Sequence, residues 1–155
     1  IKSKYNPQYT AGGDNGIIDG LNGDVDWRKG GWQGYQGQDF ECIIDIKEPK
    51  QIQEIVATFL QDTRAWIFFP KQVEIYTSYD GKEYSPFGTM PITIFKFPSD
   101  NIDASIEKAS SFTKPITCQY VKIVAKNYGK LPSWHQGYNM EGDNAFIFVD
   151  EITIK

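Results

Sequence analysis

Chemistry-bearing side chains are scarce in this chain, and they cluster. All four tryptophans, both arginines and the single histidine fall in three segments: residues 12–37 hold Trp27-Arg28 and Trp32, residues 61–70 hold Arg64-Ala65-Trp66, and residues 127–144 hold Trp134-His135. Each segment is rich in glycine or aromatic residues, so all three read as long loops, where binding residues gather on a rigid scaffold. Flat indole rings beside forked guanidinium donors make a recognition composition. One face of a pyranose carries C–H groups that stack on an aromatic ring, and its rim hydroxyls need planar polar partners. The candidate carbohydrate contacts are therefore Arg64, Trp66, Trp134, His135 and Trp32, with Asp62, Gln61 and Gln136 as further polar groups. Packing competes for the same residues. Trp27 reads as loop packing, Trp32 and Trp66 are divided between the two roles, and Arg28 stands where Asp24 or Asp26 could tie it down.

Catalysis finds little support. His135 has no serine or cysteine nucleophile motif to act on, no G-x-S-x-G occurs, and a carboxylate pair cannot be recognised without a fold. The stretch Asp19-Gly20-Leu21-Asn22-Gly23-Asp24-Val25-Asp26 has the oxygen density that calcium favours. It is not an EF-hand, because counting from Asp19 puts Asp24 where the turn glycine belongs and Gly30 where the closing glutamate belongs. On composition alone it is a solvated acidic turn.

The elements that must position these loops are strands. The chain has 155 residues, enough for one core, and is read as one module over residues 1–155. Its 40% apolar and 15% aromatic content excludes disorder and leans toward β-structure. A net charge of −4 excludes a phosphate-tracking surface, so nucleic acid is not an expected partner. No run of about 18 apolar residues spans a bilayer. Cys42 and Cys118 sit singly in apolar runs, without the close spacing of zinc ligands, and read as buried free thiols unless their strands are neighbours.

Residues 40–46, 52–60 and 73–77 show strand patterning. Asp80-Gly81 supplies a tight hairpin turn, with residues 83–88 returning. Residues 111–113, 118–125 and 145–154 complete the set, while residues 100–109 read as a turn or irregular connection. Many short strands with long loops and no helix predict an all-β, antiparallel jelly-roll β-sandwich.

The order of these pieces resembles the coagulation factor V/VIII type C, or discoidin, domain. The resemblance rests on Ile18-Asp19-Gly20 followed by Trp27, on Phe40-Glu41-Cys42-Ile43-Ile44-Asp45-Ile46, on residues 73–81 with Tyr84, and on Val149-Asp150-Glu151-Ile152. Within that superfamily the chain is most similar to the family 32 carbohydrate-binding modules of secreted bacterial glycoside hydrolases. The resemblance implies a galactose-binding-domain-like sandwich, a glycan ligand, a catalytic domain in the parent chain, and an extracellular, periplasmic or cell-surface setting. It also implies one structural calcium held by the D-G aspartate and the last-strand glutamate, here Asp19 and Glu151. Asp26 replaces the family threonine before Trp27, with Asp24 close by, so both join the expected metal set. Arg64 and Trp134 occupy places comparable to the family's sugar-binding arginine and last-loop aromatic. The histidine and asparagine of galactose binders have no counterparts in the first two loops, so galactose specificity is not implied. Protein binding, or a purely structural accessory role, is the alternative. Membrane binding ranks lower, because the loops carry acids and glutamines where lipid would need basic residues.

Overall fold

In β3 (Gln72–Ser78), Val73, Ile75 and Thr77 are buried while Gln72, Glu74 and Tyr76 face outward, and that period of two is the pleat of a strand with one wet face. A computed structural model of the protein describes residues 1–92 and 103–155. Six strands form it: β1 (Gln33–Gln36), β2 (Phe40–Gln61), β3, β4 (Ser85–Met90), β5 (Ser105–Lys126) and β6 (Phe146–Ile154). They order as β1-β6-β2-β5-β3-β4, and every neighbouring pair is antiparallel.

β2 and β5 have 22 residues each. A straight strand of that length would run about 70 Å, several times the radius of gyration of about 15 Å expected for this chain length, so both must bend. The bend in β2 falls at Lys47, whose φ of 74° is left-handed, and the β2–β5 register shifts between Asp45 and Lys50. The first half of β2 then pairs in a layer with the end of β5 and with β3 and β4. Its second half pairs with the start of β5, β6 and β1. Phe40 and Cys42 from one half meet Ile55, Ala57 and Phe59 from the other in one core that also takes in Val73, Ile75, Val121, Ile123, Ile147 and Val149. The result is the expected antiparallel sandwich.

The sequence split each long strand into pieces, because the bends interrupt the alternation. Residues 105–109, expected to be irregular, belong to β5, where Leu60 pairs with Ile106 and Ala57 with Ala109; residues 100–102 lie outside the described residues. The Asp80-Gly81 hairpin is present, with Gly81 at φ 75° and Thr77 paired to Ser85. Cys42 and Cys118 are both buried and unpaired, and burial pushes the Cys42 thiol up to about 12. Among the described residues no helix is long and apolar enough to cross a membrane.

β6 is buried on both faces. Ile147 and Val149 face the interlayer core, while Phe148 turns to a second cluster with Trp32, Leu60 and Ile67. A third cluster joins Phe68, Leu131 and Ala145, with Trp66 and Tyr128 packed against it. These two smaller clusters anchor the loops.

Candidate functional site

The loop after β2 is closed by its own backbone. Asp62 N–H donates to the Ile67 carbonyl (3.0 Å), Ile67 N–H donates back to Asp62 (3.1 Å), and a 3-10 turn at Thr63–Ala65 fills the space between. Trp66 ends that turn in the left-handed region at φ 67°, a conformation a bulky residue adopts only when its surroundings over-determine it. Here they do. Phe146 N–H donates to the Trp66 carbonyl (2.8 Å), and the indole lies so close to Gly137 that a Cβ there would come within 2.6 Å of the ring.

His135 fastens the loop after β5 onto this one. Its Nδ1 accepts from Gly137 N–H (2.9 Å), so the proton sits on Nε2, which donates to the Thr63 carbonyl. The base of the same loop is held by Asn127, whose Nδ2 donates to the carbonyls of Gln38 (3.0 Å) and Ala145 (3.1 Å).

With its backbone fixed, the 62–67 loop forms one wall of a cleft of about 380 Å³ lined by Trp27, Arg28, Asp62, Arg64 and Ala65. Arg28 is preorganised. Its guanidinium donates to Asp26 Oδ1 (2.9 Å) and lies 5.3 Å over the Trp27 ring, while Asp26 also caps the 3-10 turn at Trp27–Lys29. Arg64 is exposed and makes no hydrogen bond or ion pair with the described residues. Asp62 Oδ1 is buried and likewise unpartnered. Trp27 and Arg28 also wall a second cleft of about 460 Å³, which runs past Tyr9 to Asp19, Trp32 and Asp150.

Of the expected sugar contacts, Arg64 and Asp62 come together, and their companions are Trp27 and Arg28, which the sequence had assigned to packing and to tying down a loop. Both assignments hold in part: Trp27 packs against Tyr9, and Arg28 pairs with Asp26 as anticipated. Trp134 is 40% exposed, resting on Phe68 and His135, and Trp66 is half-buried. Three expectations are corrected. Trp32 is 2% exposed, with Nε1 donating to the Asp24 carbonyl (2.8 Å) and the ring wedged against Gly23. Gln61 is 4% exposed, its Oε1 accepting from Phe69 N–H. His135 is 3% exposed, with both ring nitrogens engaged in the clamp. These side chains brace loops and turn away from solvent.

The acidic residues divide as well. Asp24 pairs with Lys29 (3.1 Å) and Asp26 with Arg28, so neither faces the other expected metal ligands. A hydrogen bond from Asp26 N–H, then one from Lys29, holds the Asp24 carboxyl below its ordinary range. Glu151 Oε2 accepts from Gly20 N–H (3.0 Å), and Asp19 Oδ1 accepts from Leu21 N–H (2.8 Å). Asp150, next to Glu151 in the closing motif, was not among the expected metal ligands. It is buried beside Glu151, its Oδ2 accepts from Gly23 N–H, and its Oδ1 has no partner. Burial, followed by the charges of Glu151 and Asp19, pushes the Asp150 carboxyl up to about 6. Glu151 is raised by the same two causes, burial before the Asp19 charge. Among the described residues no group of three or more His, Cys, Asp or Glu side chains stands in metal-holding geometry.

The family profile of the F5/8 type C domain matches residues 2–141. The chain belongs to that family. Solved structures share the fold of this F5/8 type C domain. A pectin-binding carbohydrate-binding module aligns over 99% of the chain and 86% of its own length, at 16% identity and a TM-score of 0.53. The CBM32 of AlyQ, in complex with 4,5-unsaturated mannuronic acid, aligns over 99% and 90%, at 14% identity and 0.56. CBM32-1 of a family 31 glycoside hydrolase from Clostridium perfringens aligns over 90% and 82%, at 20% identity and 0.52. No curated protein matches the chain. The fold is one that solved carbohydrate-binding modules share.

Proposed function

We propose that this F5/8 type C domain is a non-catalytic carbohydrate-binding module that holds an attached glycoside hydrolase on its glycan outside the cell. One observation carries the reading: the loop end of a carbohydrate-binding-module fold holds a cleft in which Trp27, Arg28, Asp62 and Arg64 converge. Arg64 supplies hydrogen-bond donors without a competing partner, and Asp62 supplies an acceptor. Trp134, exposed on the neighbouring loop, offers a further ring for stacking. A single sugar of about 12 heavy atoms at roughly −0.3 to −0.5 kcal/mol per atom binds near millimolar. Tethering still raises the effective substrate concentration seen by a linked enzyme.

Calorimetric titration of the wild type and of Arg64→Ala and Trp134→Ala against a glycan panel tests this. The wild type binds at least one glycan, and Arg64→Ala weakens that binding tenfold or more. Three proteins with indistinguishable behaviour toward every glycan would overturn the site.

A calcium ion is the second part of the proposal. Asp150 and Glu151, with Asp19 beside them, are the carboxylates a cation would relieve, because burial and then mutual repulsion raise Asp150 and Glu151 and Asp150 Oδ1 has no partner. The three do not by themselves stand in metal-holding geometry, so backbone oxygens would have to complete the shell. Asp24 and Asp26 do not fit, being paired with Lys29 and Arg28. A cation that binds only the native state at a hundredfold excess over its Kd adds about 2.7 kcal/mol, about 5–10 °C in Tm. Chelation by EDTA should reverse that rise, and a melting curve indifferent to both calcium and EDTA would remove the cation from the reading.

A further inference from the structure

We infer that the cleft selects an anionic sugar, a uronate whose carboxylate sits between Arg28 and Arg64; this rests on the carbohydrate reading above and names its ligand class. The chain carries 14 lysines and two arginines, and both arginines line this one cleft. The lining holds two guanidiniums and one carboxylate, Asp62; Asp26 at 2.9 Å already offsets the charge of Arg28, so Arg64 is the guanidinium left for a ligand to answer. Lysine would supply charge alone. A planar guanidinium fork matches a planar carboxylate with two parallel hydrogen bonds, and it does so with more directional precision than any hydroxyl partner requires.

The two arginines are prepared differently. Arg28 is held by Asp26 from one side and by the Trp27 face from below, so little side-chain freedom remains to be lost on binding. Asp26 engages only one of its nitrogens. Arg64 has no such brace and makes no ion pair with Asp62 in the same cleft. Unanswered guanidinium donors on Arg64, with Asp62 in the same cleft lining, suit a ligand bearing both a carboxylate and hydroxyl groups. A neutral hexose would answer Asp62 and leave the second guanidinium without a charged partner. Solved structures that share the fold include a pectin-binding module and one holding 4,5-unsaturated mannuronic acid, so the scaffold tolerates such ligands.

The test titrates the intact domain with trigalacturonate and trimannuronate, each as the free acid and as the full methyl ester, which keeps the skeleton and removes the charge. At least one acid should bind tenfold or more tightly than its ester, and the gap should shrink as salt rises from low to physiological concentration. Arg64→Ala and Arg28→Ala should each close the gap. Arg64→Ala should leave Tm unchanged, because its side chain touches no partner. Esters that bind as well as acids, or a panel in which only neutral glycans bind, would overturn the inference and leave carbohydrate binding standing. Failure of every glycan, charged or neutral, would overturn both.

Discussion

The interlayer core and the loop end are both packed with apolar side chains, yet they are built on different logic. In the core, Phe59, Ile123 and Val149 sit where an alternating strand must put them, and apolar contact does the holding. At the loop end, buried aromatics are interleaved with single, directional bonds: His135 to Thr63, Trp32 to Asp24, Asn127 to Ala145. Removing a core side chain loses area, whereas removing a loop-end partner breaks a directional bond between segments far apart in the chain. The core makes the fold, and the loop end spends its buried residues on holding a few exposed ones still.

The largest effect that sharpens this contrast is Phe59→Ala. Phe59 is fully buried between the layers, so truncation should cost about 3–5 kcal/mol, read in urea as a lower midpoint at unchanged slope. Surviving protein should bind glycan with unaltered affinity, because Phe59 does not line the cleft. A loss below about 1 kcal/mol would mean the two regions are not the separate units described.

How much of this was legible in the sequence follows the same division. Period-two patterning located β3 and most of β2, β5 and β6, and Asp80-Gly81 located the hairpin, because those signals are local. The bend at Lys47 and the strand character of residues 105–109 were hidden, since both depend on which strand lies alongside. At the candidate site, Arg64 and Asp62 could be singled out because a scarce charged residue in a loop is informative by itself, and both line one cleft. Trp32, Gln61 and His135 were misplaced because their surroundings arrive from far along the chain: 72 residues separate His135 from Thr63, and Trp32 packs on Leu60 and Phe148. The place of Arg28 in the cleft wall and the unpartnered Asp150 Oδ1 were hidden for the same reason.

A middling effect is expected at His135→Ala. The substitution strands the Gly137 N–H and removes one of the donors to the Thr63 carbonyl, which keeps Trp66 N–H, and should cost about 1–3 kcal/mol by urea unfolding. It should also weaken glycan binding, because Thr63 opens the turn that carries Arg64. An equal loss of stability with intact affinity would show that the clamp holds the fold but not the cleft.

The smallest effect belongs to the tryptophan that most resembles Trp32 in sequence terms and least in structure. Trp134 sits in a loop beside a proline and polar residues, as a packing residue could, yet it is 40% exposed and touches only the Phe68 and His135 rings near its edge. Aromatic pairs of that kind contribute about 0.5–1.5 kcal/mol beyond area, and exposure on the outer face takes the total toward the low end. Trp134→Ala should therefore shift stability by about 0.5–1 kcal/mol, whereas Trp32→Ala, which removes a wedged ring and its bond to Asp24, should cost about 3–5 kcal/mol. If the pair were to unfold at the same urea concentration, Trp134 would be a packing residue after all, and its exposure would need another explanation.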